Sequence, residues 1–496
     1  MTSKQELTNI IKKCCDILRT DDGITGAVHY TEVLSWLLYL KFFNDKEKER
    51  ETLAKLNGEE HHPVLTGPYA WDKWTDSKTG KTGKDLIEFI NSDWKDEKGK
   101  DKLGLIEHLS TLKSTKKGDP REVIAAIFQN VTNRVSNGYL LKDVIDEVKR
   151  IDFESDKDIF SMSHIYEDLL KNMGEGGGNA GEYYTPRPLI KAIVKIVDPQ
   201  INDKVYDPAC GTGGFLAEAY MHLNPQAKTP TLRKVLNSET IFGIEKTPLP
   251  YVMCLMNLTL HGLDYPQISK QNTLGRDIRQ IEDHEKYNVI LANPPFGGKE
   301  QKMVQKNFPI ESNATEVLFL QHIEKSLKLN GKAAVVVPEG VLFQTGSAYA
   351  QFKKQFLETC NVHSIVSLPA GVFLPYAGVK TSVIFFDKTK KTKDVWFYEV
   401  KLPDGQRLTK KNGITEDHFS DLLKIYKNRE QTENSWLVPV SKIIEEGTNL
   451  SASHYNPHGI ETEDLLEPEQ YAEEIKLLLS DSMTQIDSLI NELEES

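Results

Sequence analysis

The stretch VILANPPFGGKE, residues 289–300, closes an apolar run with an asparagine, two prolines and a phenylalanine, then two glycines. A strand that merely ended in a turn would need one proline or one glycine. Neither Pro294 nor Pro295 has an N–H to donate, and each biases the residue before it toward extended geometry. What remains is a stiff turn offering two acceptors, the Asn293 side-chain carbonyl and the Pro294 backbone carbonyl. Two acceptors on a rigid edge suit a planar NH₂ group on a nucleobase or a carboxamide. Methylation makes such a nitrogen transiently cationic, and acceptors that tighten on its hydrogens as charge develops favour the transition state over the ground state. With about 1.5–3 kcal/mol in each charge-assisted bond, losing both would slow transfer by roughly a hundred- to ten-thousand-fold. Phe296 would stack an extruded base for about 1–3 kcal/mol, offsetting part of the few kcal/mol that extrusion costs. No general base is needed before the methyl leaves its donor.

A site for that donor is written upstream. In VYDPACGTGGFLAEAY, Asp207 ends a predicted strand, Gly211, Gly213 and Gly214 form a loop that a ligand can approach closely, and Phe215 starts a helix. A dinucleotide fingerprint would need a third glycine where Leu216 stands. A second predicted strand, TIFGIE, stops at Glu245, where nucleoside-binding sheets accept hydrogen bonds from ribose hydroxyls. The only run with a phosphate-loop look, KTGKTGKD at 78–85, lacks the required glycine spacing and reads as a solvated loop. A nucleoside without polyphosphate therefore fits best, and S-adenosylmethionine answers that description.

The elements that must carry these residues form an α/β pattern. Residues 1–165 read as an all-helical N-terminal domain, from apolar residues at three-and-four spacing in NIIKKCCDILRT and TEVLSWLLYLKFFNDKEKERE. Six short β-branched runs then recur, KVYD, TIFGIE, YNVILAN, KAAVVVP, VHSIVSLP and TSVIFFD, with helices between most of them. That alternation predicts a doubly wound, mostly parallel sheet whose ligands lie beyond the carboxyl ends of its strands. In the last fifty residues Ile475, Leu479, Ser482, Ile486, Leu489 and Leu493 alternate by four and three. This seam either folds back on its own domain or joins a partner's bundle.

At 496 residues the chain is long enough for two or three domains, and 39% apolar residues fill them. A net charge of -12 argues against gripping DNA unaided, so a DNA substrate implies a helper chain. The five cysteines, Cys14, Cys15, Cys210, Cys254 and Cys360, form neither a CxxC pair nor a metal spacing. No metal is expected. The interrupted apolar groups at the N-terminus and the absence of a membrane-length run point to a cytoplasmic location.

DPACGTGG followed by NPPF resembles the amino-methyltransferases that use S-adenosylmethionine. The segment GEGGGNAGEYYTPRPL, residues 174–189, narrows the resemblance to the modification subunit of type I restriction-modification systems, N6-adenine-specific. The resemblance implies a seven-stranded, mostly parallel methyltransferase sheet at 166–400, preceded by the helical domain at 1–165 and followed by a helical, partner-binding tail at 401–496. It implies catalysis by Asn293, Pro294, Pro295 and Phe296. It also implies a cofactor floor of Asp207, Ala209, Gly211, Thr212, Gly213, Gly214 and Glu245, closed over by Glu182, Tyr183, Tyr184, Thr185, Pro186 and Arg187. After the third strand, in QNTLGRDIR, either Asn272 or Asp277 would meet the cofactor adenine. The implied partners are DNA, a specificity subunit bound through the C-terminal helices, a second copy of the chain and a restriction subunit. Competing readings are methylation of a protein glutamine, which pairs with Tyr rather than Phe296, N4-cytosine transfer, which has Ser where Asn293 stands, and an inactive assembly scaffold.

Overall fold

The computed structural model describes residues 4–96, 98–113, 119–153, 166, 169, 184–263, 265–374, 378–403, 406–409 and 412–458. The glycine run at 174–180, Glu182, Tyr183 and the seam Ile475, Leu479, Ser482, Ile486, Leu489 and Leu493 lie outside the described residues. The chain divides into two compact units, one of residues 1–184 and 210–270, the other of 185–209 and 271–496.

The first unit opens with helices α1 (Lys4–Leu18) and α2 (Ala27–Asn57), a hairpin of β1 (Trp94–Lys95) and β2 (Asp101–Lys102), and helices α3 (Pro120–Phe128) and α4 (Gly138–Val148). The second unit then takes α5 (Arg187–Val197) and β3 (Val205–Asp207). The chain returns to the first unit for α6 (Gly214–Leu223), β4 (Ile241–Glu245), α7 (Pro248–Leu260) and β5 (Gln267–Lys270). The rest of the second unit is β6 (Tyr287–Ala292), α8 (Thr315–Ser326), β7 (Leu327–Pro338), β8 (Asn361–Ser367), β9 (Thr381–Asp387), β10 (Asp394–Glu399) and β11 (Ser435–Pro439).

Helix α1 buries Leu7, Ile10, Ile11, Cys14, Cys15 and Leu18, the stripe that its sequence spacing predicts. The first half of α2 behaves differently, because Tyr30 through Phe43 are buried on every side. Its partner is α7, in which every residue from Pro250 to Leu260 is buried. Two helices without a polar face cover each other inside the first unit. The turn between α1 and α2 is stapled to the start of α4 by Asp21, which is 4% exposed. Its carboxylate accepts from the Gly23 N–H at 2.8 Å, the Ser136 N–H at 3.0 Å and the Asn137 N–H at 2.8 Å. The 78–85 stretch is a loop only in its first part: residues 77–80 turn, with the Asp76 carboxylate accepting the N–H groups of the exposed Lys78 and Thr79, whereas Gly83, Lys84 and Asp85 already begin the helix Gly83–Asn91.

The sheet holds nine strands rather than the seven expected. In the second unit the order is β11-β10-β8-β9-β7-β6-β3, and the first unit contributes the parallel pair β4-β5. All six runs picked out by sequence are strands. The additional three escaped for separate reasons. β5, QISK, is short and ends in two exposed residues. β10, DVWFYE, follows the lysine-rich DKTKKTKD, and β11, SWLVP, interrupts a segment that reads as acidic and helical. The described part of 401–458 thus contains an antiparallel edge strand among short helices.

Strand β6 runs parallel to β3 and β7, pairing Tyr206 with Ile290 and Ala292 with Val335, so all three end at one edge. Strand β9 is antiparallel between β7 and β8, with Pro338 opposite Thr381 and Ser367 opposite Ser382. The loop from β8 to β9 therefore emerges at the same edge where β6 ends. Among the described residues no helix is long and apolar enough to cross a membrane.

Burial pushes the Asp21 carboxyl up, but the N–H groups of Ser136, Asn137 and Gly23 outweigh it, leaving its pKa below the ordinary value. A depressed carboxyl stabilises above its unfolded pKa of about 3.9 and loses that contribution as pH falls through the folded value. Asp21→Asn is therefore expected to lower unfolding free energy by about 1–3 kcal/mol at pH 7. The gap from wild type should narrow toward pH 3 in denaturant titrations of the full chain. A gap independent of pH would remove the carboxylate as its origin.

Candidate active site

At the end of β6 the chain leaves the sheet as Asn293–Pro294–Pro295–Phe296. Asn293 donates from Nδ2 to Thr185 Oγ1 at 3.0 Å. Its Oδ1 is buried and has no hydrogen-bond partner among the described residues. Neither does the Pro294 carbonyl accept a hydrogen bond among them. An unsatisfied buried carbonyl costs about 1–3 kcal/mol, a cost that a ligand donating two hydrogens would remove. Phe296 is partly buried, and the Phe373 ring meets it edge-on, with centroids 5.9 Å apart and planes at 83°. Such pairs contribute about 0.5–1.5 kcal/mol beyond area burial, which fixes the Phe296 ring. Phe373 is itself buried and rides the β8–β9 loop, which the antiparallel β9 returns to this edge.

The two glycines after Phe296 answer to helix α8. The Gly297 N–H donates to Glu316 Oε1 at 2.5 Å, and Gly298 O accepts from the Thr315 N–H at 3.1 Å. A Cβ on Gly298 would lie 2.5 Å from Thr315 Oγ1, so only glycine lets the loop close on the helix start. Glu316 is 7% exposed. Sequence reading passed over Glu316 and Phe373. Phe373 had a usable signal, an aromatic just past the carboxyl end of a strand, whereas Glu316 had none, because its spacing from Gly297 has no meaning without the loop.

Thr185 lies in the Tyr184–Thr185–Pro186–Arg187 segment, which is half-buried and extended until α5 begins at Arg187. Leu189, Ile190, Ile193, Val194 and Val197 bury the inner face of α5 and anchor the segment. In the same unit the Asp207 carboxylate, 2% exposed, accepts the Ala209 N–H at 3.0 Å. Thr273 Oγ1 donates to Pro208 O at 2.5 Å, and Ala209 packs against the Leu274, Ile278 and Phe308 cluster. Of the alternatives beyond β5, Asp277 commits both oxygens to Arg279, at 2.8 and 2.9 Å. Asn272 uses Oδ1 to accept the Leu274 N–H at 3.1 Å, and its Nδ2 has no partner among the described residues.

In the first unit, residues 210–214 wrap a loop onto the start of α6. Gly211 N–H donates to Glu245 Oε2 at 3.0 Å, and Thr247 N–H donates to Oε1 at 2.7 Å, which orients the buried carboxylate. Burial raises the Glu245 carboxyl above its ordinary pKa, and those amides pull partly back. Thr212 is buried, and its carbonyl accepts Asn257 Nδ2 from α7 at 2.9 Å. Gly213 caps α6 at φ 82 without offering a side-chain acceptor. A Cβ there would sit 2.8 Å from Cys254 Sγ, so the demand for glycine at 213 comes from α7 as well as from any ligand. Among the described residues no three His, Cys, Asp or Glu side chains cluster to hold a metal.

Residues 155–464 match the model of the family described as N-6 DNA Methylase, and residues 7–148 match that of the HsdM N-terminal domain. The chain is 38% identical to the type I restriction enzyme EcoEI methylase subunit of Escherichia coli, over 92% of this chain and 91% of that one. It is 29% identical to the StySPI methylase subunit of Salmonella potsdam, over 88% and 79%. In structure it is similar to the modification subunit of a putative type I restriction enzyme from Vibrio vulnificus YJ016, with 40% identity, a TM-score of 0.84 and coverage of 92% and 98%. A chain from a structural study of complex assembly in the type I R-M system aligns with 39% identity, a TM-score of 0.83 and coverage of 100% and 99%.

Gly213→Ala faces both a positive φ and the Cys254 sulfur. It is expected to destabilise the full chain by about 1–3 kcal/mol, and Gly213→Ala with Cys254→Ala should recover part of that loss in calorimetric melting. Purely additive effects would show that the sulfur contact plays no part.

Proposed function

The chain belongs to the N-6 DNA methylase family, and from that membership we propose that Asn293 and Pro294 hold the N6 amino group of an adenine turned out of the DNA helix. It is a methylase subunit of a type I restriction-modification system, an adenine-specific DNA methyltransferase with S-adenosylmethionine as methyl donor. When bound, the cofactor would supply an electrophilic methyl group on its sulfonium sulfur, and Asn293 and Pro294 would hold the amino nitrogen that accepts it, the surplus N6 proton going to water.

The observation that carries the proposal is Asn293 Oδ1, buried and without a partner among the described residues. It accepts one amino hydrogen and the Pro294 carbonyl the other, and both bonds strengthen as N6 becomes cationic. The rigidity of the double proline keeps these acceptors in place, so little reorganisation is needed at the moment of transfer. Pro295 stiffens the turn, and Phe296, steadied by Phe373, stacks the extruded base. The residues of the first unit suit the donor. Oriented by backbone amides, Glu245 accepts from ribose hydroxyls, and Gly211, Thr212, Gly213 and Gly214 bring the amides at the start of α6 to an anionic tail. Asp207 and Ala209 shape the entry to that loop. Glu182, Tyr183, Tyr184, Thr185, Pro186 and Arg187 close over the cofactor, and Asn272, with its spare Nδ2, meets the adenine ring in preference to Asp277.

The division of labour follows the resemblance: a helical domain at 1–165, the methyltransferase domain at 166–400, and a tail at 401–496 that binds a specificity subunit. A second copy of the chain and a restriction subunit complete the assembly, which works in the cytoplasm. The net charge of -12 supports delegating DNA grip to another chain.

Single-base mapping of N6-methyladenine in the native host, wild type against Asn293→Ala, tests the reading. Methylation is expected to vanish at one split recognition sequence. Unchanged methylation in a strain that expresses the variant would overturn it.

A further inference from the structure

The bond between Thr185 and Asn293 poses a problem of its own. An asparagine amide is nearly symmetric in shape, so its oxygen and nitrogen can exchange places with little steric effect. Amino-group recognition works only with the oxygen outward. A threonine hydroxyl by itself does not decide the matter, because it can donate to Oδ1 as readily as it can accept from Nδ2. In the structure it accepts, at 3.0 Å, and Asn293 Oδ1 points away with no partner among the described residues. The hydroxyl hydrogen of Thr185 is therefore spent on nothing else among the described residues.

Both sides of the contact are stiff. Thr185 precedes Pro186, which holds it extended, and Pro188 lies in the first turn of α5. Asn293 precedes Pro294 and Pro295. Neither backbone can rearrange to suit a flipped amide, so the hydrogen-bond sense of one hydroxyl sets the sense of the site.

We propose that Thr185 is a positioning residue that couples cofactor binding to amino-group recognition: once its proton is donated to the bound cofactor, its oxygen can only accept from Asn293 Nδ2, which turns Oδ1 toward the substrate. The proposal rests on the reading above, in which the Thr185 segment closes over the cofactor and Asn293 holds the amino group. It adds a direction. Without the donor molecule the amide samples both senses; with it, the sense that accepts from an amino group prevails, and the chain of two hydrogen bonds strengthens as each polarises the next. A base would be gripped productively only where a methyl group is ready.

The purified native complex, assayed on unmethylated genomic DNA, tests this with Thr185→Val, which keeps shape but loses the hydroxyl, and Thr185→Ser, which keeps the hydroxyl. S-adenosylmethionine affinity is read by titration calorimetry without DNA, and the methyl-transfer rate by single turnover at saturating cofactor. For Thr185→Val we expect affinity to fall roughly three- to tenfold and the saturated rate to fall roughly 10- to 100-fold. Thr185→Ser should restore both to within about threefold. Loss of affinity alone would make Thr185 a cofactor contact and overturn the coupling. Loss of rate alone would take the cofactor out of the chain of bonds and overturn it equally, as would a serine variant as impaired as the valine. Normal methylation by Asn293→Ala would instead strike at the reading on which the proposal stands.

Discussion

The second unit carries one costly feature at the end of β6: the Asn293 side-chain oxygen is buried and yet without a hydrogen-bond partner among the described residues. Water would satisfy Asn293 Oδ1 if the turn were open, and a nearby N–H would satisfy it if the turn were soft. The double proline removes the local donors, the Thr185 hydroxyl occupies the nitrogen side of the amide, and Glu316 takes the next N–H, at Gly297, away from the turn. A folded chain tolerates such an unsatisfied acceptor because the adjoining part of the sheet is well packed, with Val289–Ala292 of β6, Ala333–Val337 of β7 and Thr381–Phe386 of β9 buried.

That packing also explains how distant parts of the sequence meet. Parallel pairing ends β3, β6 and β7 at one edge, so Asp207, Asn293 and Pro338 fall there without any long-range signal in the sequence. The reversal of β9 contributes the other half, since it returns the loop after β8 to that same edge, with Phe373 aboard. Aromatic contact then locks Phe296 in a way that neither residue could manage alone.

The sequence made legible whatever depends on local chemistry. The apolar runs marked six strands, the glycines marked the turn at 211–214, and the proline pair marked the acceptors at 293 and 294. It hid what depends on pairing. β10 and β11 look like ordinary segments of a charged tail until they are seen beside β8, and β5 is too short and polar to stand out. The glycines also carried a second meaning that sequence could not separate from the first. Gly213 reads as room for a ligand, yet its missing Cβ is required by Cys254 on α7, and Gly298 is required by Thr315. A glycine in a motif states that something comes close, not what.

Helix α7 carries a further implication for the history and handling of such chains. Its residues Pro250–Leu260 are apolar or buried on all sides, and its cover within the first unit includes α2 and α3, which precede it by more than a hundred positions. A polypeptide begun at residue 166 would strip away that cover and present a sticky cylinder to solvent, a surface that invites aggregation. The N-terminal helices are thus less an accessory than the lining of the segment that follows the glycine loop at 211–214. Recombination between relatives would have to exchange the two together, and a crossover placed between them would join surfaces that were never fitted to one another.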